Sequence, residues 1–241
     1  MALRIVIGDV TIGIHGQDFS YIFSVGSGGM ESLYKDGKEW LDRTPRPAFW
    51  RAVTDNDRGC GFAFRSAVWS AADRFVRCVK VTARMDGEEI AIPLAPANNK
   101  YTGKETCDRF EIVYTYKTPT VPVTEVTVSY LVESDGRIHV QVDYLGKQGL
   151  PELPVFGMRF LMPTAAERYT YEGLSGETYP DRMAGGSSPC ILSNRVIGNE
   201  DIINTHMQQC SKGDKIIYSR QRSAVLPLVN GLRGIEAECH L

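Results

Sequence analysis

Three segments in the middle of the chain alternate between apolar and polar residues, and this alternation limits the possible fold more than any other feature. They are residues 110–116 (FEIVYTY), 126–133 (VTVSYLVE) and 137–145 (RIHVQVDYL), all rich in β-branched and aromatic residues. A period of two predicts strands with one buried face. The Ser-Asp-Gly at 134–136 between the last two segments is a strong signal for a tight hairpin.

Similar patterns run from the N-terminus to about residue 175, and one segment departs from them. Residues 62–78 place apolar side chains at helical spacing, which predicts one short amphipathic helix lying against a sheet. The side chains on the predicted face are Phe64, Ala67, Val68, Ala71, Ala72, Phe75 and Val76. Many strands and a single helix predict a mainly β chain folded as an antiparallel β-sandwich.

Composition excludes several classes of protein. The 241 residues carry 27 Lys+Arg against 29 Asp+Glu, and a net charge of −2 argues against nucleic acid as a partner. A hydrophobic fraction of 43% argues against disorder. No apolar run or leader pattern predicts a membrane span or secretion, so we expect a cytoplasmic protein with no membrane partner. The six cysteines are scattered, which favours free thiols over a disulfide framework or a metal site.

The densest cluster of polar and aromatic residues lies at 48–59 (AFWRAVTDNDRG). In an extended chain its two carboxylates would point one way and the amide between them the other, an arrangement that suits the hydroxyls of a sugar beside an aromatic ring. A structural turn, with the carboxylates capping the following helix or pairing with Arg51 or Arg58, is the alternative. The candidate binding residues are Trp50, Arg51, Asp55, Asn56 and Asp57.

A second cluster, at 171–186 (YEGLSGETYPDRMAGG), contains Glu172 and Glu177. Paired carboxylates suit a glycosidase, which needs an acid and a nucleophile or base at a fixed separation. Spacing along the chain does not establish that separation. A structural or binding loop with a local ion pair is the alternative interpretation.

Three ordered motifs carry a resemblance to a known family. The segments are 39–62 (EWLDRTPRPAFWRAVTDNDRGCGF), 150–163 (LPELPVFGMRFLMP) and 171–186. Together they resemble the C-terminal domain of the β-galactosidases of glycoside hydrolase family 2, and most closely the separate small subunit of the heterodimeric β-galactosidases. The similarity runs from about residue 3 to about residue 186.

The resemblance implies a galactose-mutarotase-like β-sandwich and an accessory role. In this family the two catalytic glutamates and Mg²⁺ belong to the large chain, so the resemblance implies neither a catalytic residue nor a cofactor here. Glu172 and Glu177 then become structural loop residues. Motif identity adds Tyr179, Asp181 and Arg182 to the binding or interface candidates. The expected partners are a large β-galactosidase subunit and a galactoside substrate.

The resemblance stops after Gly186. Residues 187–241 lack the family's Gly-Gly, acidic, Ser-Trp stretch, and no tryptophan follows Trp69. We therefore divide the chain into an incomplete β-sandwich at 1–186 and a divergent tail at 187–241, which an out-of-frame origin would explain. The expected function is that of an accessory subunit in the hydrolysis of lactose and other β-D-galactosides. A stand-alone carbohydrate-binding module and an inactive truncated remnant are the alternatives.

Overall fold

The described part of the chain contains seventeen strands, three short α-helices and one 3-10 turn. The computed structural model describes residues 2–53, 55–93, 100–163, 168–175, 188–195, 223–227 and 235–238. The strands are β1 (Leu3–Ile7), β2 (Thr11–His15), β3 (Phe19–Ser24), β4 (Gly29–Lys35), β5 (Lys38–Glu39), β6 (Arg43–Ala48), β7 (Arg77–Met85), β8 (Glu88–Ile90), β9 (Glu105–Cys107), β10 (Arg109–Lys117), β11 (Glu125–Glu133), β12 (Ile138–Tyr144), β13 (Gly157–Leu161), β14 (Arg168–Ser175), β15 (Ser188–Arg195), β16 (Ser223–Pro227) and β17 (Ile235–Glu238). The helical turns are α1 (Asp55–Gly59), α2 (Phe62–Arg65), the 3-10 turn Ala67–Trp69 and α3 (Ala72–Phe75).

The strands form four antiparallel sheets. The first has the order β5-β4-β3-β2-β1-β9, and the second has the order β17-β12-β11-β10-β7-β8. A three-stranded sheet, β16-β13-β6, and the pair β14-β15 complete the set. The antiparallel sandwich that the alternating pattern predicts is confirmed. No helix in these ranges is long and apolar enough to cross a membrane.

The core lies between the two six-stranded sheets. The Phe23 ring of β3 meets Tyr130 of β11 edge-on, with 5.4 Å between centroids. The Tyr114 hydroxyl donates to the Gly29 carbonyl at 3.3 Å, and the Tyr116 hydroxyl donates to the Gly28 carbonyl at 3.2 Å. Burial raises the pKa of both tyrosines, so the hydroxyls stay protonated donors near neutral pH. These contacts fix the β3–β4 turn onto the opposite sheet.

The predicted hairpin at 134–136 is present between β11 and β12. The Glu133 amide donates to the Arg137 carbonyl at 3.0 Å, and the Gly136 amide donates to the Glu133 carbonyl at 2.9 Å. Gly136 has a φ of 83°, in the left-handed region that favours glycine. The adjoining registers keep alternate side chains of both strands on the core face.

The single amphipathic helix predicted over 62–78 is wrong. The chain forms separate turns there because Ser66 and Ala71 leave the helical region, with Ala71 at a φ of 62°. Each break rotates the next turn, so the apolar residues do not share one face. Phe64 is 92% exposed, whereas Phe62 and Trp69 are buried.

Candidate functional site

Pairing between β6 and β13 brings two of the three motifs together. Gly157 lies opposite Ala48, and Met158 lies opposite Pro47. Residues 49–53 follow β6 directly, and residues 150–156 directly precede β13. Because the strands are antiparallel, both segments leave the sheet at the same end.

Arg51 and Asp57 form a two-point ion pair at this end of the sheet. Arg51 Nη1 lies 2.5 Å from Asp57 Oδ2, and Arg51 Nη2 lies 3.1 Å from Asp57 Oδ1. The Asp57 side chain is 7% exposed and that of Arg51 is 27% exposed. Such a bidentate, charge-assisted pair fixes the orientation of both groups.

Arg51 also ties its own segment to the 150–156 loop. Its Nε donates to the Pro154 carbonyl at 3.0 Å, and Nη1 donates to the Ala52 carbonyl at 3.0 Å. The guanidinium carbon lies 5.5 Å from the centre of the Phe62 ring. One side chain thus connects α1, α2 and the loop before β13.

A second set of contacts joins the helical turns to the same loop and to β13. Arg159 Nη1 lies 2.5 Å from Asp73 Oδ2. The Ser66 hydroxyl donates to the Glu152 carbonyl at 3.0 Å, and Trp69 Nε1 donates to the Pro151 carbonyl at 3.1 Å. The Arg51–Asp57 and Asp73–Arg159 ion pairs, together with these two hydrogen bonds, are called the polar clamp below.

The structure places the predicted binding residues in different surroundings. Trp50 is half-buried and packs against the core, and Asn56 is exposed. Asp55 begins α1 and residues 55–59 form a helical turn, so this stretch does not have the extended arrangement considered for sugar binding. The pairing of a carboxylate with Arg51, the structural alternative, is present at Asp57.

The second cluster lies largely beyond the described ranges. Tyr179, Asp181 and Arg182 lie outside the described residues, as does Glu177. Glu172 lies on β14, opposite Ile191 of β15. Sugar binding by any of the candidate residues stays a prediction.

Sequence reasoning missed most of the polar clamp. Ser66, Trp69, Asp73 and Arg159 were not among the candidates, although Arg159 lies in the 150–163 motif. Partners of Ser66, Trp69 and Asp73 lie 82 to 86 residues away along the chain, so no local pattern marks them. One signal was present in the sequence. Asp73 lies in the largely apolar segment 62–78, and Arg159, of opposite charge, lies in the 150–163 motif.

The contacts at this site are those of a structural element that stabilises the fold. Asp57 and Asp73 each form an ion pair with an arginine, which holds both carboxylates in fixed positions. Within the described part of the chain, no group of three or more His, Cys, Asp or Glu is placed to hold a metal ion. The clamp holds the helical turns in place beside the end of the sandwich.

Comparison with known proteins gives a consistent result. The family model described as "Beta galactosidase small chain" matches residues 15–188. A β-galactosidase small subunit of Latilactobacillus sakei is 56% identical over 184 residues, which cover 76% of this chain and 58% of that subunit. A β-galactosidase of Clostridium acetobutylicum is 39% identical over 76% of this chain and 18% of its own length.

A β-galactosidase of Halalkalibacterium halodurans is 34% identical over 218 residues, 89% of this chain and 19% of that protein. The chain therefore spans 58% of the small-subunit relative and about a fifth of the longer ones. The hydrogen bond from Arg51 to the Pro154 carbonyl joins two of the motifs behind the resemblance. The family that the motifs predicted is confirmed: the chain belongs to the β-galactosidase small chain family.

Proposed function

We propose that this chain is the accessory small subunit of a β-galactosidase. The observation that carries the proposal is the 56% identity to a protein named β-galactosidase small subunit. Acting with a large chain, it would serve the hydrolysis of terminal β-D-galactosyl residues such as that of lactose. The large chain would supply the catalytic glutamates and the Mg²⁺, and this chain would supply a surface for assembly.

The lengths of the relatives support an accessory role. The Clostridium acetobutylicum and Halalkalibacterium halodurans relatives match over 18% and 19% of their lengths, so their matched segment belongs to a much longer polypeptide. The Latilactobacillus sakei relative has the same segment in a protein named as a subunit. A module found both fused and separate is expected to work beside the remaining domains.

The site geometry supports assembly over catalysis by this chain. The buried carboxylates of the polar clamp are each bonded to an arginine that also binds backbone carbonyls. A carboxylate whose oxygens are occupied by a guanidinium is not placed to exchange a proton with a substrate, so these ion pairs fit a structural role. Cys60, Cys78 and Cys107 are free thiols, which suits the cytoplasmic location we propose.

Co-expression tests this function. The full chain is produced with a large β-galactosidase subunit, and hydrolysis of a chromogenic galactoside is compared with that of each chain alone. We expect activity only when both chains are present. The Latilactobacillus sakei small subunit, co-expressed with the same large chain, is the positive control.

Two results would contradict the proposal. One is activity with the Latilactobacillus sakei subunit and none with this chain. The other is a soluble chain that binds galactose in calorimetry but does not associate with the large chain, which would make it a stand-alone carbohydrate-binding module.

A further inference from the structure

Four large apolar side chains are exposed at one end of the second sheet. The start of β7, the end of β10, the start of β11 and the end of β12 lie side by side at this end. The strand registers show this: Arg77 lies opposite Lys117, Lys117 opposite Glu125, and Val126 opposite Tyr144. The exposed residues beside these strand ends are Val121 (85%), Leu145 (82%), Phe75 (65%) and Val123 (45%). We call these four residues the apolar rim.

Buried threonines hold the β10–β11 loop of the rim in one conformation. Thr118, Thr120 and Thr124 are at most 5% exposed, although threonine is normally a surface residue. The hydroxyls of Thr118 and Thr120 lie 2.6 Å apart, and the Thr124 amide donates to Thr118 Oγ1 at 3.1 Å. The loop between them carries Val121 and Val123 outward.

Two bonds join this loop to neighbouring parts of the rim. The Thr124 hydroxyl donates to the Leu145 carbonyl at 3.1 Å, and Lys147 Nζ donates to the Val123 carbonyl at 2.8 Å. A surface that is already ordered loses little conformational entropy when a partner binds, so its apolar contacts count more fully toward affinity.

The apolar rim and the polar clamp lie at the same end of the molecule. The Trp69 ring lies 6.0 Å from the Tyr144 ring, at the end of β12, and Tyr144 lies 5.4 Å from Phe156. Phe75 ends α3, and β7 begins two residues later at Arg77. The clamp therefore fixes the position from which Phe75 joins the rim.

The lengths of the relatives indicate what covers the rim. In the Clostridium acetobutylicum protein the matched segment is 18% of the chain, so the module's neighbours there are other domains of the same polypeptide. Clustered exposed apolar residues on a folded protein mark a protein-binding surface. We infer that the apolar rim is the surface on which a large β-galactosidase chain docks, an inference that rests on the proposed function.

A binding measurement with paired variants tests this docking surface. The full chain, its Val121→Ser/Leu145→Ser variant and a Tyr34→Ser variant are each titrated against an immobilised large subunit, with the Latilactobacillus sakei small subunit as reference. Tyr34 is the matched control because it is 43% exposed and lies in the first sheet, opposite Ser20. Tyr21 follows Ser20 in β3, and its hydroxyl donates to the Gly136 carbonyl in the turn between β11 and β12. Tyr34 therefore lies at the end of the sandwich opposite to the apolar rim.

We expect the rim variant to bind at least about tenfold more weakly and the control to bind like the unchanged protein, because a few apolar anchors carry most of an interface's affinity. All three proteins should keep the same Tm, since the changed side chains face solvent. A Phe75→Ser variant should show the same selective loss.

Three outcomes would overturn the inference, and they differ from each other. If both variants bind as the unchanged chain does, the docking surface is elsewhere and the proposed function stands. If both weaken equally, binding does not depend on the rim in particular. If the reference subunit binds the large subunit and the unchanged chain does not, the proposed function fails. If the unchanged chain then self-associates and the rim variant does not, the partner that binds the rim is a second copy of this chain.

Discussion

The β10–β12 hairpins and the clamped segment at 49–76 are held in contrasting ways. The hairpins close within a few residues of chain, with the Gly136 amide bonding to Glu133. Contacts from the clamped segment reach residues 82 to 109 positions away. Local pairing sets the register of the hairpins, whereas the clamped segment gains its structure only when the sandwich has formed.

The contrast also decides what each region contributes. The hairpins supply the core through alternation, with Ile112, Tyr114, Val128 and Tyr130 at most 1% exposed. Isolated turns as short as α2 and α3 are unstable in water, so tertiary contacts must hold them. Changes in the clamp should therefore act on stability through long-range contacts, and changes in a hairpin through local ones.

The largest expected effect comes from removing the tryptophan at the centre of the clamped segment. Trp69 is fully buried, its ring lies 5.5 Å from that of Phe49, and Nε1 bonds to Pro151. Trp69→Ala should lower the free energy of unfolding by about 3–5 kcal/mol because it leaves a large cavity. Denaturant unfolding followed by circular dichroism measures the loss.

Phe64→Ala is the matched control for this change, since Phe64 is an aromatic residue in the same segment and is 92% exposed. It should change the free energy of unfolding by less than about 0.5 kcal/mol. Equal losses in the two variants would show that the segment is not anchored through Trp69.

An intermediate effect is expected when the Arg51–Asp57 pair is broken. Arg51→Met keeps the apolar stem but removes the bidentate contact to an Asp57 side chain that is 7% exposed. Breaking a fully buried pair costs about 3–5 kcal/mol, and partial exposure of Arg51 reduces our expectation to about 2–3 kcal/mol.

A double-mutant cycle with Asp57→Asn measures the coupling, which should exceed about 1 kcal/mol. Arg84→Met, which breaks the more exposed Arg84–Glu111 pair on the second sheet, is the control and should have a much smaller effect. A coupling near zero at the clamp would contradict the role given to this pair.

The smallest expected effect is local to the β4–β5 hairpin. Partial burial raises the pKa of Glu39, but bonds from the Ser32 hydroxyl and the Leu41 and Leu33 amides outweigh it and hold the pKa below its ordinary value. Because the folded pKa is lower than the unfolded one, these bonds stabilise the fold above the unfolded pKa of about 4.3 and are lost as pH falls.

Glu39→Gln should therefore cost about 1 kcal/mol at neutral pH, and the difference from the unchanged protein should shrink on acidification. Unfolding curves at a series of pH values measure it. A difference that stays constant with pH would contradict the ionic nature of the contact.

The sequence predicted those parts of the structure that depend on local patterns. The strands at 110–116, 126–133 and 138–144 follow their alternation, and the 134–136 turn follows its glycine. The amphipathic helix failed because a period of 3.6 says nothing about Ser66 or the left-handed Ala71, where the chain turns away. Long-range packing decides those two conformations.

The candidate site likewise combines a contact between residues close in sequence with a contact between distant ones. A pairing of a carboxylate with Arg51 was open to prediction because Asp57 lies 6 residues away. The Asp73–Arg159 pair, 86 residues apart, required the register of β6 with β13. The 150–163 motif contains Arg159, but Asp73 lies outside the family motifs, so they did not indicate this contact.

The outer strands of the two large sheets are short, which limits the addition of strands from other protein chains at the sheet edges. In the described part of the chain β5 has 2 residues, β8 and β9 have 3 each, and β17 has 4. Strands this short offer too few free amides and carbonyls to template the addition of another strand. Edge-to-edge growth into fibres through these outer strands is therefore disfavoured, and contacts there depend on side chains, which are selective for shape.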